Sequence, residues 1–248
     1  MTVAPIKGSA PGWDGTGDTD SGTMVALRRA GYWLARARLV PPAALDAAAA
    51  DVLDEQERAE YGGLGARARR DRVVGRIAAK AAVEEWLAVA VPWRAIRIAN
   101  DPTGRPRAEV PPGLRAPHIS LAHHGPIGVA TASAGPTGID VEVIADRGPT
   151  FARLALTPAE LHLGTGEDPA EWVTRLWTVK EAVAKATGTG LRGRPKAITV
   201  SACEGPWCRA GDHWAHTARE GDLLVTVATL TPGPAPGPGR TRSPPRRP

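Results

Sequence analysis

The chain is poor in several residue types, and each shortage narrows what it can be. Of its 248 residues only two are cysteine, two methionine, two tyrosine and one phenylalanine, and eight tryptophans supply most of a 4% aromatic fraction. Cys203 and Cys208 form no CxxC motif and have no second pair, so they do not indicate zinc; they read as unpaired thiols in a reducing compartment. No apolar run approaches the roughly 20 residues of a membrane-spanning helix. Residues 1–20 are rich in Gly, Asp, Thr and Pro and hold no apolar stretch of a secretory signal. The expectation is a soluble, cytoplasmic protein with no membrane partner. Lysine is scarce too, occurring only as Lys7, Lys80, Lys180, Lys185 and Lys196. Arginine therefore carries nearly all the positive charge. With abundant Ala, Gly and Pro, that balance follows from GC-rich coding, and a bare arginine count means little. A lysine retained against such bias is more informative, and Lys180 and Lys185 share one short stretch.

A hydrophobic content of 42% is enough for a core, and the length suits one large domain or two small ones. The formal net charge is +5. Much of the excess lies in the last residues, where Arg240, Arg242, Arg246 and Arg247 alternate with Ser, Thr and Pro. A basic balance permits acidic partners without choosing among them. Composition predicts a disordered segment over 1–22 and a Pro/Gly/Arg-rich disordered tail over 231–248.

Between them, strand character is predicted at 24–27 and 31–35, and helices at 45–53 and from Asp54 onward. The longest helical pattern spans 69–90, where Val73, Val74, Ile77, Ala78, Ala81, Trp86 and Leu87 form an apolar stripe. Its first turns carry Arg69, Arg70, Arg72 and Arg76. Further strands are predicted at 96–98, 127–132, 139–143, 198–200 and 223–228, with a turn at 100–106. Residues 127–132 and 139–143, joined by Ala134-Gly135-Pro136, read as a hairpin. Thr157, Pro158 and Glu160 spell a helix start with a capping box. Residues 172–186 read as a helix stopped by Gly188-Thr189-Gly190. Hairpins mixed with separate helices, without regular βαβ alternation, give the α+β class. The element order of 24–135 partly recurs in 136–230, which suggests two similar halves, 23–135 and 136–230.

Two stretches carry the chemistry: Gly138-Ile139-Asp140-Val141-Glu142, and the run Trp177-Thr178-Val179-Lys180-Glu181-Ala182 that ends at Lys185. On a strand, Asp140 and Glu142 share one face about 6.6 Å apart, while Ile139, Val141 and Val143 turn to the core. With Glu181 they make an all-oxygen set for a hard divalent cation, and Lys180 and Lys185 lie beside it for phosphate. Taken singly, each stretch has a plain structural explanation. Asp140 and Glu142 suit the polar face of an edge strand. Thr178 with Glu181 suits a capping box, and Glu181 with Lys185 an i,i+4 ion pair.

Their company upstream changes the balance: Glu57-Arg58, the run Arg69–Arg76, Gly104-Arg105-Pro106, and Ser120 to His124. In this order the chain resembles a 4′-phosphopantetheinyl transferase of the surfactin-synthetase-activating (Sfp) type, from about residue 54 to 192. The resemblance implies two α+β halves related by a pseudo-twofold, with coenzyme A in the cleft between them. It implies Mg²⁺ held by Asp140, Glu142 and Glu181, and transfer of the phosphopantetheine arm to a serine of an acyl, peptidyl or polyketide carrier protein. Adenosine 3′,5′-bisphosphate leaves. Glu181, directly or through a metal-bound water, is the expected base, and Lys185 the residue that holds the migrating phosphate, with Lys180 as a phosphate-side support. His123 is expected to meet the 3′-phosphate. Arg105, standing where a lysine is common, can still grip phosphate, and Arg58, Arg70, Arg72 and Arg76 are candidates for further phosphate or carrier contacts. Ala122 departs from the family's serine, so that hydroxyl contact is lost or supplied by Ser120 or His124.

Two other readings compete. One is a nucleic-acid-binding module, suggested by the arginine content; the charge, however, sits largely in a proline-broken tail, and no recognised motif appears. The other is a coenzyme-A-binding protein that has lost transfer. The expectation is no nucleic-acid partner, and a monomer, because one chain holds the whole site.

Overall fold

A computed structural model describes residues 24–29, 31–37 and 42–230. The segments expected to be disordered, 1–22 and 231–248, lie outside the described residues. The first half contains strands β1 (Met24–Arg29) and β2 (Tyr32–Ala37), helices α1 (Pro42–Val52), α2 (Glu55–Gly62) and α3 (Ala66–Leu87), and strands β3 (Arg97–Asn100), β4 (Pro106–Glu109), β5 (His118–His124) and β6 (Ile127–Ser133). The second contains β7 (Thr137–Val143), α4 (Gly148–Ala155), α5 (Pro158–Leu163), α6 (Pro169–Thr187), β8 (Val200–Glu204), β9 (Trp207–Ala210), β10 (His213–Glu220) and β11 (Leu223–Thr229).

The class is α+β, and the element order occurs twice. One sheet runs β1-β2-β6-β5-β4-β3 and the other β7-β11-β10-β9-β8. Leaving out β1, each is a strand, three helices and a four-stranded meander whose last strand returns beside the first. The long helix covers one face of each sheet. Trp33, Ala35, Ile119 and Ala130 meet α3 in one core, and Ala210, Ala215 and Ala228 meet α6 in another. The opposite faces meet each other: Tyr32, Leu34, Ala122 and Val129 pack against Ile139, Val141, Leu223 and Val225 in a third core. Period-two alternation along each strand sends neighbouring residues to the two cores.

A buried polar knot also occurs twice. Asp54 caps α2, and Glu57 completes the capping box. Thr157 and Glu160 do the same for α5, as the sequence predicts. Lys80 of α3 donates to Glu57 Oε2 and to Val52 O, and Ile98 N donates to Glu57 Oε1. In the second half Lys180 of α6 donates to Glu160 Oε2 at 2.9 Å and to Ala155 O at 3.0 Å, and Val200 N donates to Glu160 Oε1 at 2.8 Å. Each knot ties a short helix, the long helix and the next strand together. In both, desolvation is offset by filling the carboxylate's lone pairs.

Several expectations need correction. Residues 127–132 and 139–143 are both strands, but they do not form a hairpin. Both edges of β6 are occupied, by β2 and β5, so the chain crosses to the second sheet, where β7 pairs with β11. Thr178 caps nothing, because α6 begins at Pro169 behind the N-cap Asp168. Its hydroxyl instead donates to Arg175 O and shares a hydrogen bond with Thr226. Cys203 and Cys208 are not free thiols. They face each other across the β8–β9 hairpin and are joined by a disulfide. Their spacing straddles the Gly205-Pro206 turn, which makes them cross-strand partners. The sequence does not predict helix α4 or the strands β4, β9 and β10. No helix among the described residues is long and apolar enough to cross a membrane.

Candidate active site

The sequence of β7 and α6 forces their close approach. A side chain at Gly138 would place Cβ 1.8 Å from Ala182 O and 2.6 Å from Ala186 N. Only glycine lets α6 lie this close to the strand. Lys185, between those two helix positions, therefore reaches β7. Its ammonium donates to Ile139 O at 2.9 Å and to Asp140 Oδ1 at 2.8 Å. The i,i+4 pairing with Glu181 is thus replaced by a tertiary one. Asp140 and Glu142 share the α6-facing side of β7, as the strand pattern requires.

Asp140 is 7% exposed, and its Oδ2 is buried without a hydrogen-bond partner. Burial pushes its carboxyl above the ordinary range; Lys185 opposes that and Glu142 adds to it. Burial, then repulsion from Asp140, likewise pushes Glu181 up. Glu142 accepts from Arg147 Nη2 at 2.8 Å and from Trp177 Nε1 at 3.3 Å, and His124 Nδ1 lies 3.2 Å from its Oε2. Among the described residues no three His, Cys, Asp or Glu side chains are grouped as a ready-made ion cage. The donor chemistry nonetheless fits a hard cation. Three carboxylates repel one another around a buried, unpartnered oxygen, and Lys185 is the one ammonium that touches them.

Asp140, Glu142 and Lys185 line one side of a cavity of about 720 Å³ between the halves. They belong to the second-half wall. The first half contributes Asp71, Arg72 and Arg76 of α3, Asn100 and Thr103 to Pro106, and Ile119 to His123 of β5. Alternation along β5 sorts its residues. Ser120 and Ala122 turn toward the second half, and Ser120 Oγ accepts from Ile139 N at 3.0 Å. His123 turns the other way, its Nε2 3.9 Å from Asp71 Oδ2. The hydroxyl absent at Ala122 is therefore not replaced freely: Ser120 bonds the β7 backbone and His124 leans on Glu142.

Asp101 shapes the turn that presents Arg105. Its Oδ1 accepts from Thr103 N and Arg105 N, and Gly104 takes a positive φ of 86°. The Arg105 guanidinium crosses the cleft and donates from Nη2 to Ala186 O at 3.2 Å, over the left-handed C-cap Gly188. A cation there complements the C-terminus of α6.

The structure thus gathers Asp140, Glu142, Lys185, His123 and Arg105 around one cleft. Glu181 stands one helical turn before Lys185, close enough to feel Asp140 and Glu142, but it does not line the cavity. Lys180 is a correction. It is fully buried in the Glu160 knot, on the side of α6 away from the cleft, so it is not a phosphate-side support. Arg58 and Arg70 do not line the cavity either; Arg58 is exposed on α2, and Arg70 Nε lies 3.6 Å from Asp71 Oδ1. Sequence reasoning missed Asp71 and Arg147, and gave Trp177 no role of its own although it opens the second stretch. Trp177 meets Glu142 and Asp71 approaches His123 from elements far apart in the chain, and Arg147 reaches Glu142 only because the chain turns back between β7 and α4.

Residues 136–227 match the model of the ACPS 4′-phosphopantetheinyl transferase superfamily. A curated protein of Synechocystis sp., named "Putative 4′-phosphopantetheinyl transferase", is 33% identical to the chain over 99 residues. That match covers 37% of this chain and 39% of the relative, so the chain spans well under half of the relative it matches. The half that supplies Asp140, Glu142, Glu181 and Lys185 is therefore the part of the chain that matches the 4′-phosphopantetheinyl transferase superfamily.

Proposed function

We propose that the chain transfers the 4′-phosphopantetheine arm of coenzyme A to a serine of an acyl or peptidyl carrier protein, as an Sfp-type enzyme with Mg²⁺. One observation carries this reading. A single cleft has carboxylates and Lys185 on one wall, within the region matching the superfamily, and His123, Arg76 and Arg105 on the other. The whole cleft lies within one chain, which agrees with a monomer.

The serine Oγ attacks the pyrophosphate phosphorus that bears the pantetheine arm, and the bond from that phosphorus to the bridging oxygen breaks. Adenosine 3′,5′-bisphosphate leaves with the bridging oxygen. Glu181, set back from the cavity wall, takes the serine proton directly or through a water. Lys185, already fixed on Asp140, holds the migrating phosphate and neutralises the leaving oxygen. His123, on the strand face turned toward α3, meets the 3′-phosphate, and Arg105 steadies the phosphates from the rim. Asp140, Glu142 and Glu181 are the residues that would hold Mg²⁺. When bound, the ion offsets charge on the pyrophosphate.

The test is to mix the protein with Mg²⁺, coenzyme A and a panel of apo-carriers, and to weigh the carriers. The expected result is a mass gain of one phosphopantetheine arm, abolished by EDTA. Coenzyme A binding with no gain on any carrier would instead make the chain a binding protein without transfer.

A further inference from the structure

We infer that Arg147 is the positioning residue of Glu142. With Phe151 and Trp177 it fastens that carboxylate from outside the cleft and leaves one oxygen open for the divalent ion. This rests on the Mg²⁺ reading of the site.

The two oxygens of Glu142 are unequally used. Oε2 lies 2.8 Å from Arg147 Nη2 and 3.2 Å from His124 Nδ1. Among the described residues Oε1 accepts from Trp177 Nε1 alone, at 3.3 Å, beyond the usual N–H···O range. A carboxylate oxygen has two lone pairs, so Oε1 keeps one for another partner. Asp140 is divided in the same way. Its Oδ1 accepts from Lys185 at 2.8 Å, and its Oδ2 is buried without a partner. Each of these strand carboxylates therefore has one oxygen held by a cation and one open, and both residues line the cleft.

Arg147 is itself held from two sides. Its guanidinium carbon lies 5.3 Å from the centre of the Phe151 ring, and Phe151 meets Trp177 edge-on with ring centres 5.1 Å apart. Glu142, Arg147, Phe151 and Trp177 thus close a circuit in which each touches the next. Arg147, Phe151 and Trp177 are not part of the cavity lining, so they reach an ion only through Glu142. The local chain puts Arg147 there. Gly148 takes a positive φ of 72° and its N–H donates to Asp146 Oδ1 at 2.8 Å, which turns the chain back between β7 and α4. Arg147 Nε is buried without a hydrogen-bond partner. An unpaired buried donor costs free energy, so this guanidinium is placed for the carboxylate and the ring at the expense of its own hydrogen bonding.

The fold does not need this circuit. Trp177 stands three residues before Lys180, and Ile77 three before Lys80; Glu142 follows Val141 of the third core, and Ala35 follows Leu34. The first half buries Ile77 and Ala35 in its own core, where the second half has a hydrogen-bonded tryptophan and carboxylate.

Charge and positioning predict opposite effects. A guanidinium beside three carboxylates weakens their attraction for a cation, so by charge alone its removal would tighten metal binding. Removing an outer partner that orients a ligand instead costs about 10–100-fold in metal affinity.

Electron paramagnetic resonance of Mn²⁺, titrated into the full chain alone and with coenzyme A, tests this. Arg147→Ala should bind Mn²⁺ about tenfold more weakly, with a cooperative thermal melt to show that it folds. Arg147→Gln, which keeps an N–H for Oε2, is read in its place if it does not. Phe151→Leu leaves the ion pair and removes the ring; it should weaken binding less, and should add nothing to Arg147→Ala. Unchanged or tighter Mn²⁺ binding in a folded Arg147 variant overturns the inference and leaves the Mg²⁺ reading standing. Additive losses in the double variant overturn the part given to Phe151. A wild-type chain that binds no Mn²⁺ in either condition, or Mn²⁺ binding that survives Asp140→Ala unchanged, overturns the inference and the Mg²⁺ reading together.

Discussion

In the first half the buried glutamate, Glu57, holds two cations, Arg76 and Lys80; in the second, Glu160 holds only Lys180. The surrounding scaffold is the same: a capped short helix, a long helix and a meander. The walls that face the cleft differ accordingly. The first presents Arg72, Arg76, Arg105 and His123 with one carboxylate, Asp71, and the second presents Asp140 and Glu142 with one ammonium, Lys185. A repeated scaffold can keep its structural knot and still give its two copies opposite charge at the surface where they meet.

The comparison breaks first at the carboxylates. Asp140→Ala or Glu142→Ala should cut carrier modification by on the order of a hundredfold or more, measured as phosphopantetheine mass gain per minute. His123→Ala should mainly raise KM for coenzyme A. Normal transfer by Asp140→Ala would sink the assignment of chemistry to the second wall.

Next come the knots. Glu160→Ala strands Lys180 and should cost about 3–5 kcal/mol, read from urea unfolding. Glu57→Ala strands two cations and should cost more. Equal losses would mean that the extra charge of the first knot is already neutralised.

Gly138→Ala should destabilise more than Gly128→Ala. The first would drive Cβ to 1.8 Å from a helix carbonyl; the second, on β6, to 2.6 Å from the Val74 backbone. Overpacking of this kind costs about 1–3 kcal/mol, occasionally more, and thermal melts of the two variants give the order.

The smallest effect is on pH. Burial raises Glu160, but donation from Thr157 N, Val200 N and Lys180 outweighs it and holds the carboxyl below the ordinary range. A depressed carboxyl stabilises the fold above its unfolded pKa, about 4.3, and that contribution is lost as pH falls through the folded value. Acid unfolding of Glu160→Gln should therefore follow pH less steeply in that window. An unchanged slope would remove Glu160 from the acid response.

Much of this was legible in the sequence because it is local. The α3 stripe, the Thr157–Glu160 capping box and the strand face shared by Asp140 and Glu142 depend on residues within a few positions of one another. The α+β class follows from the mixture of such elements. Lys180 was misplaced because a helix has several faces, and position alone does not say which one meets a core. The hairpin of β6 with β7 failed because strand pairing depends on which edges other strands already occupy. The cysteine pair was misread because its geometry depends on a turn lying between the two residues.

The sequence by itself determined the elements, the types of chemical group and the order in which they come. Those are properties of short-range propensity, periodicity and capping. Tertiary structure alone decided which lysine faces the cleft, that Arg105 crosses to the other half, and that Arg76 joins Lys80 on the buried Glu57 of a repeated knot. Each depends on contacts between residues far apart in the chain, made possible where glycine lets helix and strand approach and where two sheet faces meet.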